Sequence, residues 1–466
     1  MQFRNNILLN TDSYKVSMAN QYPKGTTGVY SYIESRGGEY DKTVFFGLQA
    51  FIKEYLLKPI TQEDINLAEE ILTAHGEPFN RANWQYILDK HNGYLPVEIR
   101  AVPEGSVIPT KNVLATIENT DPKCYWLTTW LETALLRAIW YPTTVATQSH
   151  SIRQLIASYL KSTGDINGID FKLHDFGARG VSSLESAAIG GAAHLVNFMG
   201  TDTISGLMFA REYYNAGIAG FSIPAAEHST ITSWGRDREV DAYRNMLTQF
   251  AKPGSILAVV SDSYDIYNAA SKIWGEALKD EVVKSGATVV IRPDSGDPVT
   301  VCSKLVTILD SKFGSTVNDR GYKVLNNVRI IQGDGVNYDS IKKILSSFKK
   351  LGYSADNIAF GMGGALLQQV NRDTQKFAMK CSSAKVNGEW VDVQKDPVTD
   401  NGKKSKAGRV TLWKSGSEYI SSVDKPTGWH DRAVGEFVDC LDVVYRNGKL
   451  VKEVNFDEVR NNAKNS

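Results

Sequence analysis

The middle of the chain carries a succession of short polar runs whose residue types can do chemistry. They are His174-Asp175-Phe176-Gly177, Gly200-Thr201-Asp202, Glu227-His228, Ser261-Asp262-Ser263, Arg292-Pro293-Asp294-Ser295-Gly296, Gln332-Gly333-Asp334-Gly335 and Gly361-Met362-Gly363-Gly364. Glycine-rich turns let backbone N–H groups approach phosphate oxygens closely. The runs around Gly333 and Gly363 are both of this kind, and neither is specific by itself. Arg179, Arg292 and Arg372 are candidate forks for phosphate. Asp294 is placed to meet a sugar hydroxyl or a magnesium ion, which binds through few carboxylates plus substrate phosphates. His228 is a candidate general base, nucleophile or metal ligand. The other histidines lack such a setting. His75, His91 and His430 read as loop or surface residues, His150 and His194 as helix packing, and His174 is ambiguous. A basic stretch of Lys380, Lys395, Lys403, Lys404 and Lys406 lies further on, with Lys404 and Lys406 reading as a solvated loop.

The polar runs gain meaning from what precedes them. Each follows a short apolar, β-branched stretch: Phe171–Leu173, Leu195–Phe198, Gly220–Ile223, Ile256–Val260, Thr288–Ile291, Val328–Ile331 and Ile358–Phe360. A helical pattern follows each run, and the spacing is mostly about 25 to 40 residues, the size of a βα unit. Seven such units predict an α/β fold with a parallel sheet closed as a (β/α) barrel, whose C-terminal strand ends converge on one mouth. Any single Asp or Gly there is as well explained by a helix cap or a tight turn. The whole set on one mouth is better explained by function.

The flanks read differently. Residues 1–148 show strands at Val29–Ile33, Val97–Val102 and Val113–Ile117 and an aromatic-rich helix around Tyr125–Tyr141. Residues 373–466 show short strands at Lys376–Cys381, Glu389–Val393, Arg409–Trp413 and Val443–Arg446. The C-terminal piece is too small and fragmented to fold alone. Residues 1–148 and 373–466 are therefore expected to form one α+β domain beside a barrel of residues 149–372.

Composition narrows the class. Lys+Arg and Asp+Glu both total 52 in 466 residues, which removes the basic excess of a nucleic-acid binder. The cysteines Cys124, Cys302, Cys381 and Cys440 form no CxxC pair, against a zinc site or a disulfide framework. Met1 to Asn10 lacks an apolar h-region, and no apolar run approaches the ~18 residues of a membrane span. A cytoplasmic protein without membrane or nucleic-acid partners is expected.

Seven longer runs carry a family resemblance: Asn6–Tyr14 (NILLNTDSY), Lys172–Ser183 (KLHDFGARGVSS), Ser222–Trp234 (SIPAAEHSTITSW), Val260–Asn268 (VSDSYDIYN), Ile291–Pro298 (IRPDSGDP), Ile331–Val336 (IQGDGV) and Lys395–Val398 (KDPV). In this order, and nearly end to end, the chain resembles the nicotinamide phosphoribosyltransferase family. The resemblance implies a distorted (β/α) barrel with a second α+β domain built from both termini. It implies a homodimer with shared active sites that joins nicotinamide to phosphoribosyl pyrophosphate with Mg2+. It also implies coupled ATP hydrolysis through a phosphohistidine.

By position, the resemblance makes His228 the phosphorylated residue, with Glu227 and Asp262 orienting it. Phe176 and Tyr14 match the two aromatic walls of the nicotinamide slot, Tyr14 from the other subunit. Asp202 matches the acceptor of the carboxamide N–H, and Arg292 and Asp294 the base, ribose and metal end. Arg179, Gly333, Asp334, Gly363 and Gly364 match the ribose-phosphate pocket. Arg36, Arg372, Lys380 and Lys395 match pyrophosphate and ATP-phosphate binders, some of them contributed across the dimer. The chain departs from the animal enzymes at Ala178 (a tyrosine there), Met362 (a serine) and Ile223 (a valine), and its loop from Gly37 to Lys42 is short. Met362 puts one phosphate contact in doubt, because a thioether donates no hydrogen bond.

Three rival readings make different demands. A nicotinate phosphoribosyltransferase runs the same reaction type on a carboxylate substrate, and the discriminating feature is Asp202. A barrel aldolase or isomerase would often need a Schiff-base lysine or a paired acid and base at the mouth, and the lysine at a strand end is Lys172, which precedes His174. A non-catalytic scaffold predicts loss of His228, Asp294 or Arg292, and all three are present.

Overall fold

The computed structural model describes residues 5–399, 404–427 and 433–465, so Lys403 and His430 lie outside the described residues. The chain divides into two compact units. One is Gln148–Phe209 with Gly217–Val370; the other is Met1–Thr147, Ala210–Ala216 and Asn371–Ser466.

The first unit is built on six parallel strands: β1 (Leu173–Asp175), β2 (Gly200–Thr201), β3 (Ile256–Val260), β4 (Thr288–Arg292), β5 (Val328–Gln332) and β6 (Ile358–Met362). They hydrogen-bond in the order β2-β1-β6-β5-β4-β3. A further segment carries the sheet round to a ring. Phe221 bridges Gly200 of β2, and Ala225 bridges Ala258 of β3, both in parallel sense. The N–H of Thr201 donates to Phe221 O at 3.0 Å, and that of Ala258 to Pro224 O at 2.9 Å. The result is a distorted (β/α) barrel.

Helices follow the strands where local chemistry starts them. Ser183 caps Leu184–Leu195 after β1. Asp297 caps Pro298–Phe313 after β4, with proline at its first turn, and Asn337 closes a capping box on Tyr338–Lys350 after β5. Three expected strands move. Ile166–Phe171 is a 3-10 helix, so β1 begins at Leu173. Leu195 ends a helix, and the strand after it is Gly200–Thr201. Gly220–Ile223 makes single bridges instead of a ladder.

Ala258, Val290 and Ile331 form the buried layer of the barrel, with Phe176, Ile223 and Ala359 packed on it. The registers Asp175↔Thr201, Met362↔Asp175 and Val260↔Arg292 set these C-terminal strand ends side by side. Those ends are the positions from which the polar runs depart.

The second unit interleaves the two ends of the chain in one antiparallel sheet. Thr26–Ser35 lies between Phe377–Val386 and Val113–Asn119, and Val97–Ala101 lies between Val113–Asn119 and Asp442–Arg446. The Trp84 ring meets the Trp126 and Trp130 rings edge-on at 4.8 and 4.9 Å in its core. The aromatic stretch expected as one helix forms Leu127–Trp130 and the start of Glu132–Thr163.

Ala210–Ala216, expected with the barrel, belongs to this second unit. The cause is two tyrosines. Tyr214 stacks on Phe46 at 4.9 Å and donates to the buried Glu104 at 2.7 Å. Gln49 Nε2 and Lys53 Nζ both donate to the Tyr213 carbonyl.

Candidate active site

At the C-terminal rim of the barrel the expected residues fall into linked groups. The first is built on His228, which opens the helix His228–Thr232. Its Nε2 lies 3.0 Å from Asp262 Oδ1, and Ser295 Oγ donates to Asp262 Oδ2 at 2.5 Å. A carboxylate only accepts, so Nε2 is the donor in this bond. Nδ1 faces Asp294 Oδ2 at 4.0 Å. Of the two carboxylates expected to orient His228, Asp262 makes the bond. Glu227 precedes the helix in an extended conformation, and its carboxylate accepts from Ser229 Oγ.

Asp294 begins the second group. Arg292 Nη2 donates to both of its carboxylate oxygens at 2.8 Å. The same guanidinium sits 5.8 Å from the centre of the Phe176 ring, in the range of a cation–π contact. Two backbone glycines also adjoin that ring. A Cβ on Gly361 would fall 1.9 Å from Phe176 Cε2, so only glycine fits there. A Cβ on Gly333 would lie 3.4 Å from Arg292 Nε, 3.5 Å from Asp294 Oδ1 and 3.5 Å from Phe176 Cε2. Gly333 thus adjoins all three side chains. Gly363 adjoins the Phe176 carbonyl, and Gly364 packs on Gly180, next to Arg179. Arg179 and Asp334 are exposed.

Asp202 forms the third group. It is exposed, and its Oδ1 accepts from Ser222 Oγ at 2.5 Å. Its N–H donates to the carbonyl of Asp175, whose side chain is completely buried. Burial pushes the Asp175 carboxyl up to about 6; the Gly177 N–H and the Thr203 hydroxyl oppose that and Asp202 adds to it. Ser222, Ser295 and Asp175 were not singled out from the sequence. All three sit inside the polar runs, but short hydroxyl and carboxyl side chains there read equally well as turn formers.

Two other positions resolve at this rim and its opposite. The Met362 side chain is buried, and its carbonyl accepts the Phe176 N–H at 3.0 Å, so position 362 offers backbone in place of a hydroxyl. Lys172 precedes β1 and lies at the N-terminal end of the barrel. Its ammonium donates to the carbonyls of Ala355, Asp356 and Ile358, and burial lowers it to about 8. A Schiff-base role at the rim is therefore closed to it.

The second unit collects the cations. Lys15 is buried and paired with Glu132, and its Nζ lies 5.1 Å from the ring of Tyr14, which is 55% exposed. Arg36 has only a long pairing to Glu34, at 3.6 Å, and its Nε and Nη2 are buried without a hydrogen-bond partner. Burial lowers the Lys380 ammonium; Glu132 opposes this, while Arg36, Lys15 and Lys395 reinforce it. The cluster has unmet donors and mutually repelling cations, which suits an anion. Arg372 is exposed and pairs with Asp373. Lys404 is a solvated residue paired with Asp396, but Lys406 is not. It pairs with the buried Glu34 and lies over the Tyr32 ring.

Among the described residues, His91, Asp121 and Cys124 of this unit have metal-ligand types. Tyr86 donates to Asp121 Oδ2 at 3.0 Å and His91 Nε2 lies 2.8 Å from the same oxygen, while burial pushes the Cys124 thiol up to about 12. A protonated thiol beside a satisfied carboxylate has no call for an ion. No helix among the described residues is long and apolar enough to cross a membrane.

Residues 171–449 match the model of the nicotinate phosphoribosyltransferase (NAPRTase) family, and residues 6–99 match that of the nicotinamide phosphoribosyltransferase N-terminal domain. The chain is 58% identical over 467 residues to the nicotinamide phosphoribosyltransferase of Xanthomonas campestris pv. campestris (strain 8004), covering 99% of both chains. It is 32% identical to the enzyme of that name from Acinetobacter baylyi, covering 99% of this chain and 97% of the other. Among solved structures, nicotinate-nucleotide pyrophosphorylase from Pyrococcus furiosus shares the fold with a TM-score of 0.65 at 17% identity, covering 99% and 95% of the two chains. Human nicotinic acid phosphoribosyltransferase does so with a TM-score of 0.58 at 15% identity, covering 98% and 93%.

The buried Asp175 gives a pH prediction. Its folded value lies above the ordinary 3.8, so between roughly pH 4 and pH 6 the folded chain holds a proton that the unfolded chain has released. Its contribution is full below that window and is lost as pH rises through it, by an amount on the order of 3 kcal/mol. Asp175→Asn should remove this slope. Denaturant unfolding of both proteins across the window measures it, and equal slopes would assign the titration to another group.

Proposed function

The chain belongs to the nicotinate phosphoribosyltransferase family and, within it, to the nicotinamide phosphoribosyltransferases of NAD biosynthesis, and from that membership we propose how its residues carry the reaction. Nicotinamide takes the 5-phosphoribosyl group of phosphoribosyl pyrophosphate, and pyrophosphate leaves. The observation that carries this reading is one barrel rim holding an aromatic face, a carboxylate with one oxygen unbonded to protein, and a linked Arg292–Asp294–His228 array.

Displacing pyrophosphate from the anomeric carbon builds positive charge on the ribose, and a neutral pyridine nitrogen is a modest nucleophile. The ring must therefore be held in line, which stacking on Phe176 does from one side. Tyr14 of a second copy supplies the opposite wall, so the active form is a homodimer. Asp202 accepts the carboxamide N–H through Oδ2, since Ser222 occupies Oδ1. Arg179, Gly333, Asp334, Gly363 and Gly364 receive the ribose phosphate. Arg36, Arg372, Lys380 and Lys395 hold pyrophosphate and ATP phosphates, some of them across the dimer.

Asp294 fits Mg2+ held mostly through substrate phosphates, being a hard donor that is 20% exposed beside the reacting end. Mg2+ would supply positive charge against the departing diphosphate. ATP couples through His228: the imidazole nitrogen bonds to the γ-phosphorus, the bridge to ADP breaks, and water later releases phosphate. The negative charge on phosphorylated His228 would attract Mg2+, and the metal would in turn hold the diphosphate.

Three outcomes test this reading. Nicotinate offers no N–H to Asp202 and brings a second negative charge, which costs several kcal/mol in a partly desolvated site. Even ~3 kcal/mol is a factor of about a hundred or more. Wild type should use nicotinamide and nearly ignore nicotinate, and Asp202→Ser should narrow that gap. The measurement is kcat/KM for both bases; a wild type preferring nicotinate overturns the substrate assignment.

His228→Ala should abolish ATP hydrolysis and its stimulation while leaving slow ATP-independent transfer. Labelled ATP should leave acid-labile phosphate on wild type only, and equal labelling of the variant rules out His228.

Inactive Tyr14→Ala and His228→Ala chains should regain activity when mixed, because a hybrid dimer keeps one intact site. No recovery after verified subunit exchange would remove the shared site.

A further inference from the structure

We propose that Asp175 is a positioning residue for the base: its buried carboxyl holds the turn that carries Phe176, its backbone carbonyl holds Asp202, and through them it places nicotinamide without touching it. The inference rests on the reading of those two residues as the base-binding pair.

The geometry runs through one residue. Asp175 ends β1, paired with Met362 of β6 on one side and Thr201 of β2 on the other. Its Oδ1 accepts the Gly177 N–H at 2.7 Å, closing the turn that aims Phe176. Its backbone carbonyl accepts the Asp202 N–H at 3.0 Å. The wall for the ring and the acceptor for the carboxamide are thus each one hydrogen bond from Asp175. The surroundings leave little slack. A Cβ on Gly177 would lie 2.7 Å from Leu367 and 3.0 Å from Asp175 Oδ1, and one on Gly191 would lie 2.9 Å from Thr203 and 3.4 Å from Asp175 Oδ2.

The side chain is an awkward choice for stability. Asp175 is completely buried, and its Oδ2 and the Thr203 side chain both border Gly191, with Thr203 lowering the carboxyl's pKa against burial. A buried acid costs stability, because burial disfavours its charged form. Local rules broken in this way are expected where a residue serves the site. Because Asp175 is sealed from the rim, its service is positional.

The test is steady-state kinetics of the full chain with nicotinamide, phosphoribosyl pyrophosphate and Mg2+, on wild type, Asp175→Ala, Asp175→Ser and Asp175→Asn. Alanine deletes the acceptor for the Gly177 N–H, serine replaces it with a shorter one, and asparagine keeps it. The KM for nicotinamide should rise about tenfold or more in Asp175→Ala and about threefold in Asp175→Ser, and stay near wild type in Asp175→Asn, with the KM for phosphoribosyl pyrophosphate unchanged throughout. Should Asp175→Ala not fold, the difference between Ser and Asn decides. Equal nicotinamide KM values across the variants, or a parallel rise for both substrates, overturn the inference. A wild type that makes no mononucleotide from nicotinamide fails at the earlier reading of the base-binding pair. A productive wild type with no split among the variants fails only here.

Discussion

Much of the rim depends on one steric constraint: the Phe176 ring occupies the space a side chain at position 361 would need. The ring can lie over the barrel layer of Ala258, Val290 and Ile331 only because β6 carries a glycine there. The Met362 carbonyl then takes the Phe176 N–H, and Gly333 lets the turn after β5 close on the ring edge. With the ring fixed, the Arg292 guanidinium has a face to sit on and Asp294 has a fixed partner. Interiors packed to crystal density transmit such constraints directly, because a displaced ring has nowhere to go.

The two units divide the electrostatic work. The barrel rim gathers acids: Asp202, Asp262 and Asp294, with Arg292 clamped on the last. The other unit gathers cations whose acidic partners, Glu34 and Glu132, do not exhaust them. A zero net charge over 466 residues conceals this separation, which only the placement of each residue exposes.

The same geometry weighs against a Schiff-base aldolase reading. Lys172 is at the wrong end of the barrel, and its three N–H donors are spent on backbone carbonyls. The nicotinate reading is separated by charge at one position. Asp202 lies at the rim with Oδ1 bonded to Ser222 Oγ.

The sequence by itself determined the barrel, its polar rim and the side-chain types there, because strand period and the turn residues after each strand are local properties. His228, Asp262, Arg292, Asp294 and Asp202 could all be named from their runs. The strand edges were less legible: Leu195–Phe198 is apolar enough for a strand, yet the helix before it runs to Leu195 and the ladder forms at Gly200. Tertiary structure alone decided which groups pair. It gave His228 to Asp262 in place of Glu227, drew Lys406 from a solvated loop to Glu34, moved Ala210–Ala216 into the second unit, and buried Asp175 beneath the two residues it bonds. These outcomes depend on register and burial between segments far apart in the chain, and no local pattern encodes the distance between them.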